Sequence, residues 1–338
     1  MLARCTIPIP KACRKPQHAG RPAKREQVQR QAMHRHQQSR IQILRRVCAD
    51  SDQGASSWRC CWRRFVRGAW LPTLEMGTRI VLPWIMQPTV FLQAALNGGS
   101  THPAAPRTPA AIAEAARAAV DAGAHSVHVH AFDDAGRETL EGAACANVLR
   151  AIRVRCPETP ISLTTSAAIV RDPGERFRIV EAWSEMPDLV TANQGEPGIV
   201  ELCELLLSRG VGIEAGLLSS DDARAFVASG LAGRCRRVLI EPLDADPDTA
   251  VHHAAQMEDI VVSAGITLEQ VHHGDGPACW AVNRRGLSRG HGIRTGLEDI
   301  TLLPDGRPAR DNADLVAAAA RLIRAHVPGG GHGSSGVV

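Results

Sequence analysis

From residue 89 onward the chain alternates short apolar runs with amphipathic stretches, and it does so eight times. A short apolar run bounded by turn residues reads as a buried strand; apolar residues recurring at three- and four-residue spacing read as a helix. Val90–Leu96 is followed by a helix that Thr108 caps, with Pro109 in its first position, running to Ala122. His125–Ala131 precedes Glu141–Arg155, Pro160–Ser166 precedes Glu175–Ser184, and Asp188–Asn193 precedes Ile199–Arg209. Val211–Leu217, Arg237–Glu241, Leu268–His273 and Gly292–Leu297 are each followed in turn by Asp221–Ser229, Asp248–Ala264, Ala278–Arg289 and Asn312–Ala325. Eight such units in roughly 240 residues match the count and size of a (β/α)8 barrel. The predicted fold is therefore α/β, a TIM barrel over residues 89–327. The competing open doubly wound sheet would carry a Gly-x-Gly-x-x-Gly loop after its first strand, and none is present.

The first 75 residues have a different character. They hold 16 Lys/Arg against 4 Asp/Glu, whereas the remainder holds 23 against 31. They carry no helical or alternating apolar period and bury too little apolar surface to offset their ordering entropy. Residues 1–75 are expected to be a basic, disordered extension, read first as sequence upstream of a true start at Met76 or Met86. A basic tail and an Arg-rich presequence are the other readings. Residues 76–88 form a lead-in, and the Gly/Ser-rich 328–338 a flexible tail.

The body of the chain, being mildly acidic, gives no electrostatic reason to expect nucleic-acid binding. Its most apolar window, Ile80–Leu96, is interrupted by Pro83 and Pro88 and is too short for a bilayer. No apolar run near Met1 suggests a secretory signal. The 10 cysteines form no Cys-x-x-Cys pair. A reduced, cytoplasmic setting is the expectation.

Barrels of this kind carry their active sites at the C-terminal ends of the strands. Read in order, those ends hold Asn97; His128 and His130; Thr165 and Ser166; Asn193; Glu214; Glu241; His273; and then Arg294, Glu298 and Asp299. One or two such groups would be ordinary turn chemistry, but a full ring of buried polar groups needs partners. In an extended strand His128 and His130 point to one face. They make either a hydrogen-bonded pair or half of a metal clamp. Barrel closure brings Glu298 toward them, completing a two-histidine, one-carboxylate set with an open position, as in catalytic zinc sites. The alternative for Glu298 is an N-cap or a partner for Arg294. Arg294 is placed to hold Asp299 or to clamp an acidic substrate. The Thr165 and Ser166 hydroxyls and N–H groups are candidates to cradle a substrate carboxylate, or to cap a helix.

Four passages resemble the β-keto acid cleavage enzymes, over roughly residues 89–325. They are Ala94-Ala95-Leu96-Asn97-Gly98 with His102-Pro103 and Arg107-Thr108-Pro109; Gly123-Ala124 through His128-Val129-His130; Leu163-Thr164-Thr165-Ser166; and Arg294-Thr295-Gly296-Leu297-Glu298-Asp299. The resemblance implies zinc on His128, His130 and Glu298, and Asp299 as a base positioned by Arg294. It also implies acetyl-CoA as co-substrate, retro-Claisen release of acetoacetate and a new acyl-CoA, small-molecule partners with no nucleic acid or membrane, and a homo-oligomer, a tetramer. Asn97, Thr165, Ser166, Asn193, Glu214 and His273 are the expected substrate contacts, with Glu214 facing a substrate ammonium group.

Two departures leave the substrate open: Gly98-Gly99-Ser100 stands where many members have Glu, and Ala131-Phe132-Asp133 where many have x-Arg-Asp. A zinc-dependent barrel hydrolase and a catalytically silent binding barrel are the competing readings.

Overall fold

The computed structural model describes residues 90–326. The extension 1–75, the lead-in 76–88 and the tail 328–338 lie outside the described residues. Eight parallel strands close on themselves: β1 (Leu92–Ala95), β2 (Ser126–Val129), β5 (Ile161–Thr164), β6 (Leu189–Asn193), β7 (Gly212–Leu217), β8 (Arg237–Ile240), β9 (Glu269–His272) and β10 (Gly292–Thr295). Closure is direct, because β1 pairs with β2 at Ala95↔His128 and with β10 at Gln93↔Arg294. This is the TIM barrel expected from the alternation, and it disposes of the open sheet. A hairpin not anticipated from the sequence, β3 (Ala131–Phe132) and β4 (Glu138–Thr139), follows β2. Two-residue strands carry no periodicity by which to find them.

The helices are α1 (Pro109–Ala122), α2 (Gly142–Arg155), α3 (Pro173–Glu181), α4 (Ile199–Ser208), α5 (Ser220–Ser229), α6 (Pro247–Ser263), α7 (Cys279–Ser288) and α8 (Asn312–His326). Three of them begin by one device, a capping oxygen followed by proline. Thr108 accepts from the Ala111 N–H, Asp172 from Glu175 and Asp246 from Thr249, at 3.2, 2.7 and 2.9 Å. Each cap satisfies an otherwise orphaned N–H, worth about 1 kcal/mol. None of the described helices is long and apolar enough to cross a membrane. The cysteines at 145, 156, 203, 235 and 279 are free and buried.

The apolar core lies between the helices and the outer faces of the strands, where Ile112, Leu149, Leu202, Phe226 and Met257 are buried together with Val127, Val129, Leu163, Val190 and Ile213. The barrel interior is instead polar. Gln93 donates to both Glu214 oxygens at 2.9 and 3.2 Å, Ser162 Oγ donates at 2.5 Å, and Arg237 lies 3.5 Å away. The Arg237 guanidinium is also stacked 3.7 Å over the Phe91 ring. Glu214 is therefore not the mouth residue that the sequence suggested. It lies three residues before the end of β7, pairs in register with Thr191 and Arg237, and is wholly enclosed by these partners.

Candidate metal centre

Glu298 reaches the histidines because the turn after β10 folds tightly against β1. The Glu298 N–H donates to Ala95 O at 3.3 Å, and Asp299 and Ile300 N–H both return to Gly296 O. A Cβ on Gly296 would stand 1.8 Å from Ala95 O, so this approach requires glycine. Gly98, at φ +49°, lies so close that a Cβ would meet Glu298 Cγ at 2.6 Å. Sequence motif and barrel closure thus converge on one point.

His128 Nε2 and His130 Nε2 lie 3.5 and 3.6 Å from the same oxygen, Glu298 Oε1. These separations are long for hydrogen bonds. Two donors each about 2.0–2.1 Å from a tetrahedral ion stand about 3.4 Å apart, which is the spacing found. The other oxygen, Glu298 Oε2, is buried with no hydrogen-bond partner. The donor set and this orphaned atom fit a divalent metal held by His128, His130 and Glu298.

The far nitrogens are also engaged. His128 Nδ1 is 3.2 Å from both Ser162 Oγ and Thr191 Oγ1, and His130 Nδ1 is 3.2 Å from Glu138 Oε2. Nδ1–H donation to these acceptors leaves each Nε2 lone pair facing Glu298, the tautomer a metal ligand needs. Burial disfavours charge on both rings. For His128 it prevails and brings the pKa to about 3. For His130 the Glu298 charge and the Glu138 hydrogen bond outweigh burial and raise it to about 9, so a metal binding at Nε2 would displace a proton from this ring.

Beside the ligands, Arg294 donates through Nη2 to Glu298 Oε1 and to Asp299 Oδ1, each at 2.7 Å, and through Nε to Asp299 at 3.3 Å. Burial pushes the Asp299 carboxyl up, Arg294 opposes it, and the balance falls at about 6. A carboxylate with that poise is suited to taking a proton near neutral pH. His273, fully buried, stands between Asp299 and Glu241 at 3.8 and 3.5 Å, with neither ring nitrogen hydrogen-bonded. Burial also drives Glu241 up, to about 8.

The remaining expected substrate contacts are placed differently. Asn97 is wholly engaged with backbone: it donates to Pro106 O and His130 O and accepts from Gly98 and His130 N–H, at 2.9–3.0 Å. It clamps the ligand strand and has no group left for a substrate. Thr165 donates to Thr191 O at 2.8 Å. The N–H groups of Ser166, Ala167 and Ala168 are taken by Thr164 Oγ1, Glu196 Oε1 and Ser166 Oγ, so the Ser166 part of the expected backbone cradle is already filled. Asn193 donates to Glu196 at 3.1 Å, and Glu196 is paired with the buried Arg176. Only the Ser166 hydroxyl, 3.5 Å from Glu196, is loosely held.

Glu138, Ser162, Thr191, Glu196 and Arg176 were not found from the sequence. Ser162 was accessible, being a polar residue two before Thr164 in an otherwise apolar strand and so on its inward face. Glu138 was not, because its position depends on the hairpin. A third His/Glu group, Glu258 with His272 and His291, is paired with Arg285 and Arg289, whose charges already neutralise the carboxylate. It is not a cation site.

A family model for beta-keto acid cleavage enzymes matches residues 89–228 and 243–327. The 3-keto-5-aminohexanoate cleavage enzyme of Fusobacterium nucleatum is 25% identical over 260 residues, 71% of this chain and 93% of that protein. The enzyme of the same description from Acetoanaerobium sticklandii is 26% identical over 259 residues, 70% of this chain and 92% of that protein. Among solved structures, apo ObcA superposes with a TM-score of 0.54 at 18% identity, covering 65% of this chain and 61% of ObcA. Its ternary complex with a C4-CoA adduct and oxalate gives 0.55 at 18%, covering 66% and 64%. The chain thus spans about three fifths of ObcA's length, and that likeness supports the barrel fold. With the family model covering both halves of this candidate metal site, the chain belongs to the beta-keto acid cleavage enzyme family.

Proposed function

We propose that this enzyme condenses a β-keto acid with acetyl-CoA in a zinc-dependent retro-Claisen exchange, giving acetoacetate and a new acyl-CoA. The observation that carries the reading is the His128–His130–Glu298 donor set standing directly against the Arg294–Asp299 pair. His128, His130 and Glu298 would hold the zinc. When bound, zinc supplies Lewis-acid polarisation of the keto acid's carbonyl.

The chain's own groups then account for the proton. Asp299, held by Arg294, takes a proton from C2 of the keto acid. C2 bonds to the thioester carbonyl of acetyl-CoA, and CoA thiolate leaves. The thiolate attacks the original ketone, the C2–C3 bond breaks, and Asp299 returns its proton to C2 of the departing acetoacetate. The exchange thus consumes no net proton. The Ser166 hydroxyl, loosely held by Glu196, would meet the substrate carboxylate, with Glu241 and His273 beside Asp299. The acetyl-CoA requirement rests on membership of the family.

The test is product analysis. A panel of β-keto acids is incubated with acetyl-CoA labelled in the acetyl group, and CoA products are read by mass spectrometry. Labelled acetoacetate with an unlabelled new acyl-CoA is expected. Turnover without CoA would make the protein a hydrolase and refute the reading.

A further inference from the structure

The two histidines of the metal set are held from behind by different chemistry. His128 Nδ1 meets two neutral hydroxyls, Ser162 and Thr191, whereas His130 Nδ1 meets the carboxylate of Glu138 at 3.2 Å. Glu138 sits on β4 of the hairpin, opposite Phe132 in register. The hairpin is itself rigidly built: Asp133 Oδ1 accepts from Ala135 and Arg137 N–H at 2.9 Å each. Arg107, from the loop after β1, lies 4.8 Å over the Phe132 ring while donating to Ser100 O at 2.7 Å. The carboxylate is thus delivered to the back of one ligand by the hairpin that follows β2.

We propose that Glu138 is a positioning residue that sets the zinc affinity of this enzyme, by fixing the Nδ1–H tautomer and ring orientation of His130. The inference rests on the zinc reading given above. Physically, an imidazole that donates Nδ1–H to a carboxylate is a stronger ligand through Nε2 than one that donates to a hydroxyl, and it loses less rotational freedom on binding. With its backbone N–H and C=O clamped by Asn97, His130 has the ring as its remaining free element, and Glu138 removes that freedom.

Zinc affinity of the full chain is measured by competition with a chromogenic chelator, for wild type, Glu138→Ala, Glu138→Gln and Arg137→Ala. Glu138→Ala is expected to weaken zinc binding about 10–100-fold, the usual scale for losing such a partner. Glu138→Gln, whose amide oxygen still accepts Nδ1–H, falls between the two. Arg137→Ala, one residue away and exposed, stays close to wild type, and thermal unfolding of the metal-free forms checks that all four fold alike. Wild-type zinc binding with an unchanged Glu138→Ala overturns this proposal and leaves the zinc reading standing. An equal loss in Arg137→Ala also overturns it, by making the hairpin as a whole responsible. No zinc uptake by wild type overturns the zinc reading and this inference together.

Discussion

Glu214→Gln separates the two roles that sequence and structure give this residue. In the structure its carboxylate accepts from Gln93 and Ser162 and faces the Arg237 guanidinium, all without contact with solvent. The amide cannot neutralise Arg237, and one of its two positions turns from acceptor to donor, so either the Ser162 contact or one of the two Gln93 contacts is lost. Breaking a buried charge pair by altering one partner costs about 3–5 kcal/mol. The conservative shape and the 3.5 Å separation place this change at the lower end, about 3 kcal/mol. For a domain of this size that corresponds to a fall of roughly 6–12 °C in Tm. Calorimetry of both proteins under matched metal loading measures it. Relaxed hold of Ser162 on His128 should weaken zinc binding in parallel. An unchanged Tm combined with altered choice between amino and neutral β-keto acids would show that Glu214 is not a structural charge partner, and restore it to the mouth.

Other expectations follow from the same contacts. Asn97→Ala leaves buried backbone groups at Pro106, Gly98 and His130 without partners and should cost about 2–4 kcal/mol; a variant of wild-type Tm with raised KM would make Asn97 a substrate contact instead. Asp299→Asn should retain zinc while turnover drops about a hundredfold or more, measured by acyl-CoA formation; full turnover would remove Asp299 as the base. Burial alone would raise the Glu258 pKa, but hydrogen bonds from His291, Arg285 and Arg289 hold it at about 2, below the usual 4.5. The folded state therefore binds that proton less readily than the unfolded chain. Its stabilisation is complete above about pH 4.5 and is lost as pH falls toward 2. Urea unfolding of Glu258→Gln against wild type should show a stability gap that narrows over that range; a gap independent of pH contradicts the pairing.

The barrel was legible because buried parallel strands and amphipathic helices leave different apolar periods, and Thr108-Pro109 marked its first helix start. The candidate metal set was legible for a related reason: His128 and His130 share a face by strand parity, and barrel closure with the tight turn at Gly296 brings Glu298 to them. Direction was harder to read than identity. Asn97 and Glu214 are polar residues in the right strands, yet one turns back onto backbone and the other points into the barrel floor, as set by long-range partners such as Pro106 and Gln93. Glu138 and Glu196 were invisible because their positions depend on loops whose geometry no periodicity encodes.

The proposed chemistry requires His128, His130 and Glu298 to hold one metal ion. Elemental analysis of the protein purified without chelator, beside His128→Ala, tests this most directly. About one zinc per chain, absent from the variant, is the predicted result. A wild-type protein that carries no metal and takes up none, or a variant that retains it, would rule out this metal centre.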